Sequence, residues 1–151
     1  MIGVVPRLID MGIDPYLIPP TLILAVGQRL ARKLCPDSRK KTKLQTKMKE
    51  LIAKEIDALP ADAREKIKKE ALQEIYQAEA GPSCPKGTRG RTGIFEVLSM
   101  TPELEKIILT GPSESRISEE AKRQGMITLK QDGILKVLKG LIGLEELLEV
   151  V

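Results

Sequence analysis

Leu44, Met48, Leu51, Ile52, Ile56 and Leu59 recur at the three- and four-residue spacing that lines up side chains on one helix face. After Pro60 the same period continues through Ala63, Ile67, Ala71, Leu72 and Ile75, and the segment closes at Gly81-Pro82. This pattern predicts a charged αα-hairpin over roughly residues 37–82, within an inserted segment of residues 37–86. It separates two flanks with different patterns. Upstream, residues 1–36 begin with a short helix over Pro6–Met11, with proline at its start and Gly12 at its stop. Asp14-Pro15 opens a second segment, and "QRLARKL" then alternates apolar and basic residues as a half-buried strand does. Downstream, residues 87–151 open with the β-branched and aromatic run "TGIFEVL", a strand, and then turn helical. "TPELEKIIL" has Thr101 to cap it, Pro102 in its first turn and Glu103 facing the positive end of the dipole. "SRISEEAKRQG" predicts a helix stopped by Gly125, and Thr128 and Gln131 stand at capping-box spacing before the stripe Ile134, Val137, Leu138 and Leu141. "LEELLEVV" predicts a last helix, with room for a short strand at its end.

Composition narrows the chemistry more than the fold. The chain has 151 residues, 42% of them hydrophobic, enough for a core of Leu, Ile and Val. Aromatic residues make up 2%, which leaves few platforms for stacking single-stranded nucleic acid. The net charge is +4, and much of the excess lies in "RKKTKLQTKMK" (Arg39 to Lys49), which reads as a solvated helix face or as a patch for an anionic partner. The longest apolar runs, "YLIPP" and "TLILAVG", fall far short of the roughly 20 residues of a membrane span. "MIGVVPRLIDMG" lacks the layout of a signal peptide, so a soluble cytoplasmic protein is expected.

Several reaction classes lose their residues. The chain has no histidine, hence no Ser-His or Cys-His pair, and its carboxylates are scattered over predicted surface positions. The run "SCPKGTRGRTGIFEVL" has the glycines and cations of a phosphate loop, but in reverse order. Gly87, Gly90 and Gly93 precede the strand, and no Gly-Lys-Ser/Thr occurs anywhere. Cys35-Pro36-Asp37-Ser38 has the spacing of a zinc knuckle with serine at its second position, and Cys84 also lacks a cysteine neighbour. Zinc favours four thiolate or imidazole ligands, so zinc is not expected.

Three separated motifs, "PRLIDMGIDPYLI…QRLARKLCP", "GRTGIFEVL" and "EEAKRQGMITLKQDGILKVLKGLIGLEELLEV", resemble in order and spacing the C-terminal portion of the type II secretion and type IV pilus assembly ATPases. The resemblance covers about residues 4–36 and 87–150, and the intervening segment matches only in location. It implies an α+β, mostly helical fold: the C-terminal part of a RecA-like ATPase domain, a β-hairpin plus a C-terminal helical bundle, with the αα-hairpin inserted. Residues 1–36 would close the core with the first hairpin strand, 37–86 would sit at the family's metal-binding position, and 87–151 would supply the second strand and the helical subdomain. Gly90 to Glu96 would return beside Gln28 to Leu30. Many members carry two CxxC pairs in the insertion, of which Cys35 and Cys84 are the remnants here, with departures at Ser38 and around Gly87. Gly125-Met126-Ile127-Thr128-Leu129 with Asp132-Gly133 matches a family motif that reads as a structural junction.

The family's phosphate-binding lysine loop, Walker B acid and histidine motif would lie upstream of Met1. The polypeptide alone is therefore expected not to turn over ATP, and it reads as a truncated or split product or a separately encoded subdomain. ATP and Mg²⁺ would enter only through a partner that supplies the phosphate loop. Arg29 and Arg91 are the candidate contacts to phosphate or to a neighbouring subunit, against the plainer reading of structural ion pairs such as Arg91 with Glu96. The implied partners are further copies in a hexamer, or a phosphate-loop-bearing chain, and an inner-membrane platform protein; nucleic acid is not expected. The rival expectation is a stand-alone basic helical module that binds an acidic partner, RNA or an anionic membrane surface.

Overall fold

The computed structural model describes residues 1–65, 67 and 74–151. Among the described residues helices predominate over two two-stranded sheets, an α+β arrangement, and the chain divides into two compact units. The first comprises Met1–Gly27 and Glu96–Met126, the second Gln28–Phe95 and Ile127–Val151. Two long strands, β1 (Leu24–Leu34) and β4 (Thr88–Ser99), pair with each other, and each contributes residues to both units.

In the first unit, α1 (Val4–Asp10), a 3₁₀ turn (Pro15–Leu17) and the short α2 (Ile18–Thr21) precede β1, and α5 (Pro102–Thr110) and α6 (Glu114–Arg123) follow β4. Their core is Val5, Ile18, Leu98, Leu104, Ile108, Ile117 and Ala121. The local signals act as their chemistry requires. Thr101 Oγ1 accepts from the backbone N–H of Leu104 at 3.2 Å and Ser113 Oγ from that of Arg116 at 3.4 Å, so each satisfies a helix-end donor. Leu104 and Ile108, one turn apart, are both fully buried, which settles them as core.

The second unit contains β2 (Lys40–Lys43), α3 (Thr46–Asp57), α4 (Ala61–Arg64), β3 (Glu74–Gln77), α7 (Leu129–Leu138) and α8 (Leu144–Leu148). Ile52 and Ile56 of α3, Ile75 of β3, Ala31, Ile94, and Ile134, Val137, Ile142, Leu144 and Leu147 share one core. The Thr128–Gln131 capping box forms as expected, with Gln131 Oε1 accepting from the Thr128 N–H at 3.0 Å and Thr128 Oγ1 from the Gln131 N–H at 3.3 Å. Gly133 lies inside α7, where a Cβ would stand 2.1 Å from Leu147 Cδ1. The absent side chain is what lets α8 close on α7.

The expected αα-hairpin is corrected here. Its first helix exists as α3, but Lys40–Lys43 and Glu74–Gln77 are antiparallel strands, with Lys41 opposite Tyr76 and Thr42 opposite Ile75. Ile75 fits both a helical period and the inward face of a strand, and the β-branched pairing partner Thr42 favours the second. Of the other residues of the second predicted helix, Ala63 lies in α4, and Ala71 and Leu72 lie outside the described residues. "LAVG" likewise belongs to β1, and α8 ends without a strand after it.

Candidate functional site

Two features of the second unit combine chemistry with definite geometry: the cations on the β1–β4 pair, and the neck of the segment inserted between these strands. Strand alternation places Ile94 in the core, and Arg89, Arg91 and Phe95 outward. On β1, Ala31 and Leu34 are buried, whereas Arg29, Leu30, Arg32 and Lys33 are exposed. Arg29 and Arg91 therefore lie on paired strands, solvent-exposed, and neither has an ion pair with a described residue of its own unit. A guanidinium in that state is available for an anion that is not part of its own unit.

The strand carrying Phe95 is fixed by Asp132, which the sequence places in a structural junction without indicating this contact. Asp132, near the start of α7, accepts from the Phe95 N–H at 2.8 Å and pairs with Lys136, whose ammonium lies 5.3 Å from the Phe95 ring centre. The sequence contained a signal for the pair, an acid and a lysine at i,i+4, but none for the strand N–H.

At the neck, two tight turns meet. Cys35–Ser38 closes with the Ser38 N–H on the Cys35 carbonyl at 3.3 Å, and Cys84–Gly87 with the Gly87 N–H on the Cys84 carbonyl at 2.9 Å. The Cys35 N–H donates to the Gly87 carbonyl at 2.9 Å, which joins the turns, and Gly81 and Cys84 exchange two bonds of 3.0 Å. Cys35 and Cys84 are disulfide-bonded, with Cα atoms 6.6 Å apart. The resemblance implies that they are remnants of one metal-binding insertion, and with 49 positions between them no local spacing points to their pairing.

A zinc ion of the kind the family resemblance implies does not fit these residues. Ser38 Oγ is buried without a hydrogen-bond partner, but a protonated hydroxyl is a poor zinc ligand. Position 87 has φ +66°, and a Cβ there would stand 2.6 Å from the Glu79 backbone nitrogen. Position 87 therefore admits no ligating side chain, and no group of three His, Cys, Asp or Glu suited to a metal occurs among the described residues.

Beyond the neck, the inserted segment docks by its own polar contacts. Arg39 stacks 4.2 Å from the Tyr76 ring centre and donates to the Gly140 carbonyl at 2.5 Å, near the end of α7. Lys130 pairs with Glu55 of α3 at 2.9 Å. Lys40 pairs with Glu79 at 3.4 Å and Lys41 with Glu74 at 3.7 Å. The basic run is thus a half-paired strand followed by a helix, not the cationic helical hairpin on which the rival expectation rested.

In the first unit Glu120 departs from the expected scattered, solvated carboxylates. It is buried, and accepts from Arg123 Nε at 2.6 Å, Thr101 Oγ1 at 2.9 Å and Gln124 Nε2 at 3.0 Å. The Arg123 hydrogen bond, opposed by burial and helped by Gln124 and Thr101, holds its pKa at about 2. Arg123 also reaches Glu103 at 3.1 Å. With every acceptor engaged, this is a brace between α5 and α6 rather than an acid or base for chemistry. The carboxylate three residues before an arginine was the signal that could have found it.

Comparison with known proteins adds to the geometry. A family model described as "Type II/IV secretion system protein" matches residues 1–149. The chain is 36% identical over 150 residues to the type II secretion system ATPase E of Vibrio cholerae, covering 99% of this chain and 27% of that protein. It is 32% identical over 140 residues to the type IV pilus assembly ATPase PilB of Pseudomonas aeruginosa, covering 93% and 23%. Against the PilB of Myxococcus xanthus it is 33% identical over 145 residues, covering 95% and 24%. The chain spans about a quarter of the length of these relatives.

Proposed function

This chain belongs to the type II/IV secretion system protein family, and from that premise we propose that it is the C-terminal subdomain of a secretion or pilus-assembly motor ATPase. It helps to build the hexameric ring and passes nucleotide-driven motion to an inner-membrane platform at the cytoplasmic face. Its β1–β4 pair belongs to the edge of a RecA-like core, and residues 1–36, 37–86 and 87–151 act as core end, insertion and helical subdomain. The phosphate loop, Walker B acid and bound Mg²⁺·ATP come with a different stretch of polypeptide. Arg29 and Arg91 reach phosphate oxygens or carboxylates of the neighbouring subunit.

The observation that carries this reading is the outward side of the paired strands. Leu30 and Phe95 are 49% and 42% exposed in the second unit, and Leu24, Val26 and Val97 are 48%, 50% and 44% exposed in the first. A two-stranded ribbon is marginal by itself, and the exposed apolar side chains that each unit carries on it call for cover by further protein. Among the described residues no helix is long and apolar enough to cross a membrane.

The test is complex formation. The chain is mixed with a phosphate-loop-bearing N-terminal portion of a family ATPase, and the mass of the complex is measured by light scattering. The reading expects a defined oligomer that the Leu30→Asp/Phe95→Ser variant fails to form. A mixture that stays as two separate species under all nucleotide conditions contradicts it.

A further inference from the structure

We propose that Cys35 and Cys84 form a thiol–disulfide latch that closes the neck of the inserted segment, and that closure is governed by redox state rather than by a metal. The two turns described above present one sulfur each. Their remaining two positions cannot supply donors: one is a hydroxyl, and the other is a glycine whose backbone admits no side chain. Two sulfurs are too few to make a structural zinc site but sufficient for a covalent bridge, and the Cα separation of 6.6 Å is within disulfide reach.

The latch has a defined load. Between the two cysteines lie β2, α3, α4 and β3, the elements that dock on α7 through Arg39 and Gly140, and Lys130 and Glu55. With the bridge intact, the ends of this 49-position separation stay together however the segment fluctuates. With the bridge broken, the Cys35–Gly87 hydrogen bond between the turns, the β1–β4 and β2–β3 pairings and the docking contacts hold it. The segment then opens at lower cost, while the first unit, which shares none of these contacts, is unaffected.

The redox step balances as an exchange. The thiolate of a dithiol reductant attacks one sulfur and breaks the Cys35–Cys84 bond. The mixed disulfide so formed is displaced by the second thiol, leaving two protein thiols and the reductant as a disulfide. Oxidised glutathione drives the reverse, giving two molecules of reduced glutathione. Cys35 and Cys84 are only 3% and 5% exposed, so attack requires the neck to open first. Reduction of the native protein therefore accelerates in mild denaturant.

The experiment compares the whole chain after treatment with oxidised glutathione and with dithiothreitol. It uses thiol alkylation read by mass, amide hydrogen exchange, and zinc content. After oxidised glutathione no cysteine is labelled; after dithiothreitol both are. Exchange in β2, α3 and β3 then rises by about tenfold or more, with α5 and α6 unchanged. The Cys35→Ser/Cys84→Ser variant shows the fast pattern with or without reductant. The proposal is overturned if both cysteines label after oxidised glutathione, if exchange in the segment is insensitive to reduction, or if α5 and α6 speed up equally. It is also overturned if the reduced protein retains one zinc per chain whose removal by chelator gives the fast pattern.

Discussion

Asp132 holds Phe95 from the side: its Oδ2 accepts the Phe95 backbone N–H at 2.8 Å, so that a helix start fixes a strand that would otherwise have one paired edge. The same carboxylate pairs with Lys136. Asp132→Ala removes both interactions and should destabilise the second unit by about 1–3 kcal/mol. Asp132→Asn keeps an acceptor for the N–H and should lose about half as much. Urea denaturation followed by circular dichroism distinguishes the two; equal losses would mean that the ion pair, not the strand contact, matters.

Gly133→Ala sets two effects against each other. Alanine raises helix propensity by up to about 1 kcal/mol, but its Cβ would meet Leu147 Cδ1 at 2.1 Å. Overpacking at such a contact costs about 1–3 kcal/mol, so net destabilisation is expected. Combining it with Leu147→Ala should give a smaller loss than the sum of the two single variants, and additivity in that cycle would argue against the close approach.

The Glu120 brace makes an acid-dependent contribution. Its pKa falls from 4.5 to about 2 in the folded chain, mainly through the Arg123 hydrogen bond. Because the folded value lies below the unfolded one, the stabilisation is fully present above about 4.5 and is lost as pH falls toward 2. The stability difference between wild type and Glu120→Gln should therefore be constant near neutrality and shrink progressively below pH 4.5. A difference independent of pH over that window would remove the brace from the account.

Position 87 tests the neck backbone without touching either sulfur. Gly87 has φ +66°, and a Cβ would stand within 2.9 Å of three Glu79 backbone atoms. Gly87→Ala should lower stability by about 2 kcal/mol or more, the sum of a left-handed backbone penalty and a backbone clash. Thermal unfolding under oxidising conditions reads it; a neutral substitution would mean that the turn can relax.

How much was legible beforehand follows from the range of each interaction. The caps at Thr101 and Thr128, the stop after α6, and the stretches of the two long strands at residues 28–34 and 92–98 rest on neighbours within a few residues, and these were readable. The β2–β3 sheet was not, since the basic run Lys40–Lys43 carries no apolar alternation and its partner is over 30 positions away. Ile75 satisfied a helical period by coincidence. The Cys35–Cys84 bridge and the Asp132–Phe95 contact depend on tertiary folding, so no local spacing could reveal them. The exposure of Arg29 and Arg91 needed the strands' facing as well as their existence.

The central claim is that this chain braces a motor whose phosphate chemistry is supplied by other residues. ATP hydrolysis by the purified chain, before and after mixing with a phosphate-loop-bearing N-terminal portion, tests it most directly. The account predicts no turnover by the chain alone and robust turnover by the mixture, reduced when Arg29 and Arg91 are both replaced by alanine. Hydrolysis by the isolated chain, or a mixture no more active than its N-terminal portion, would contradict it.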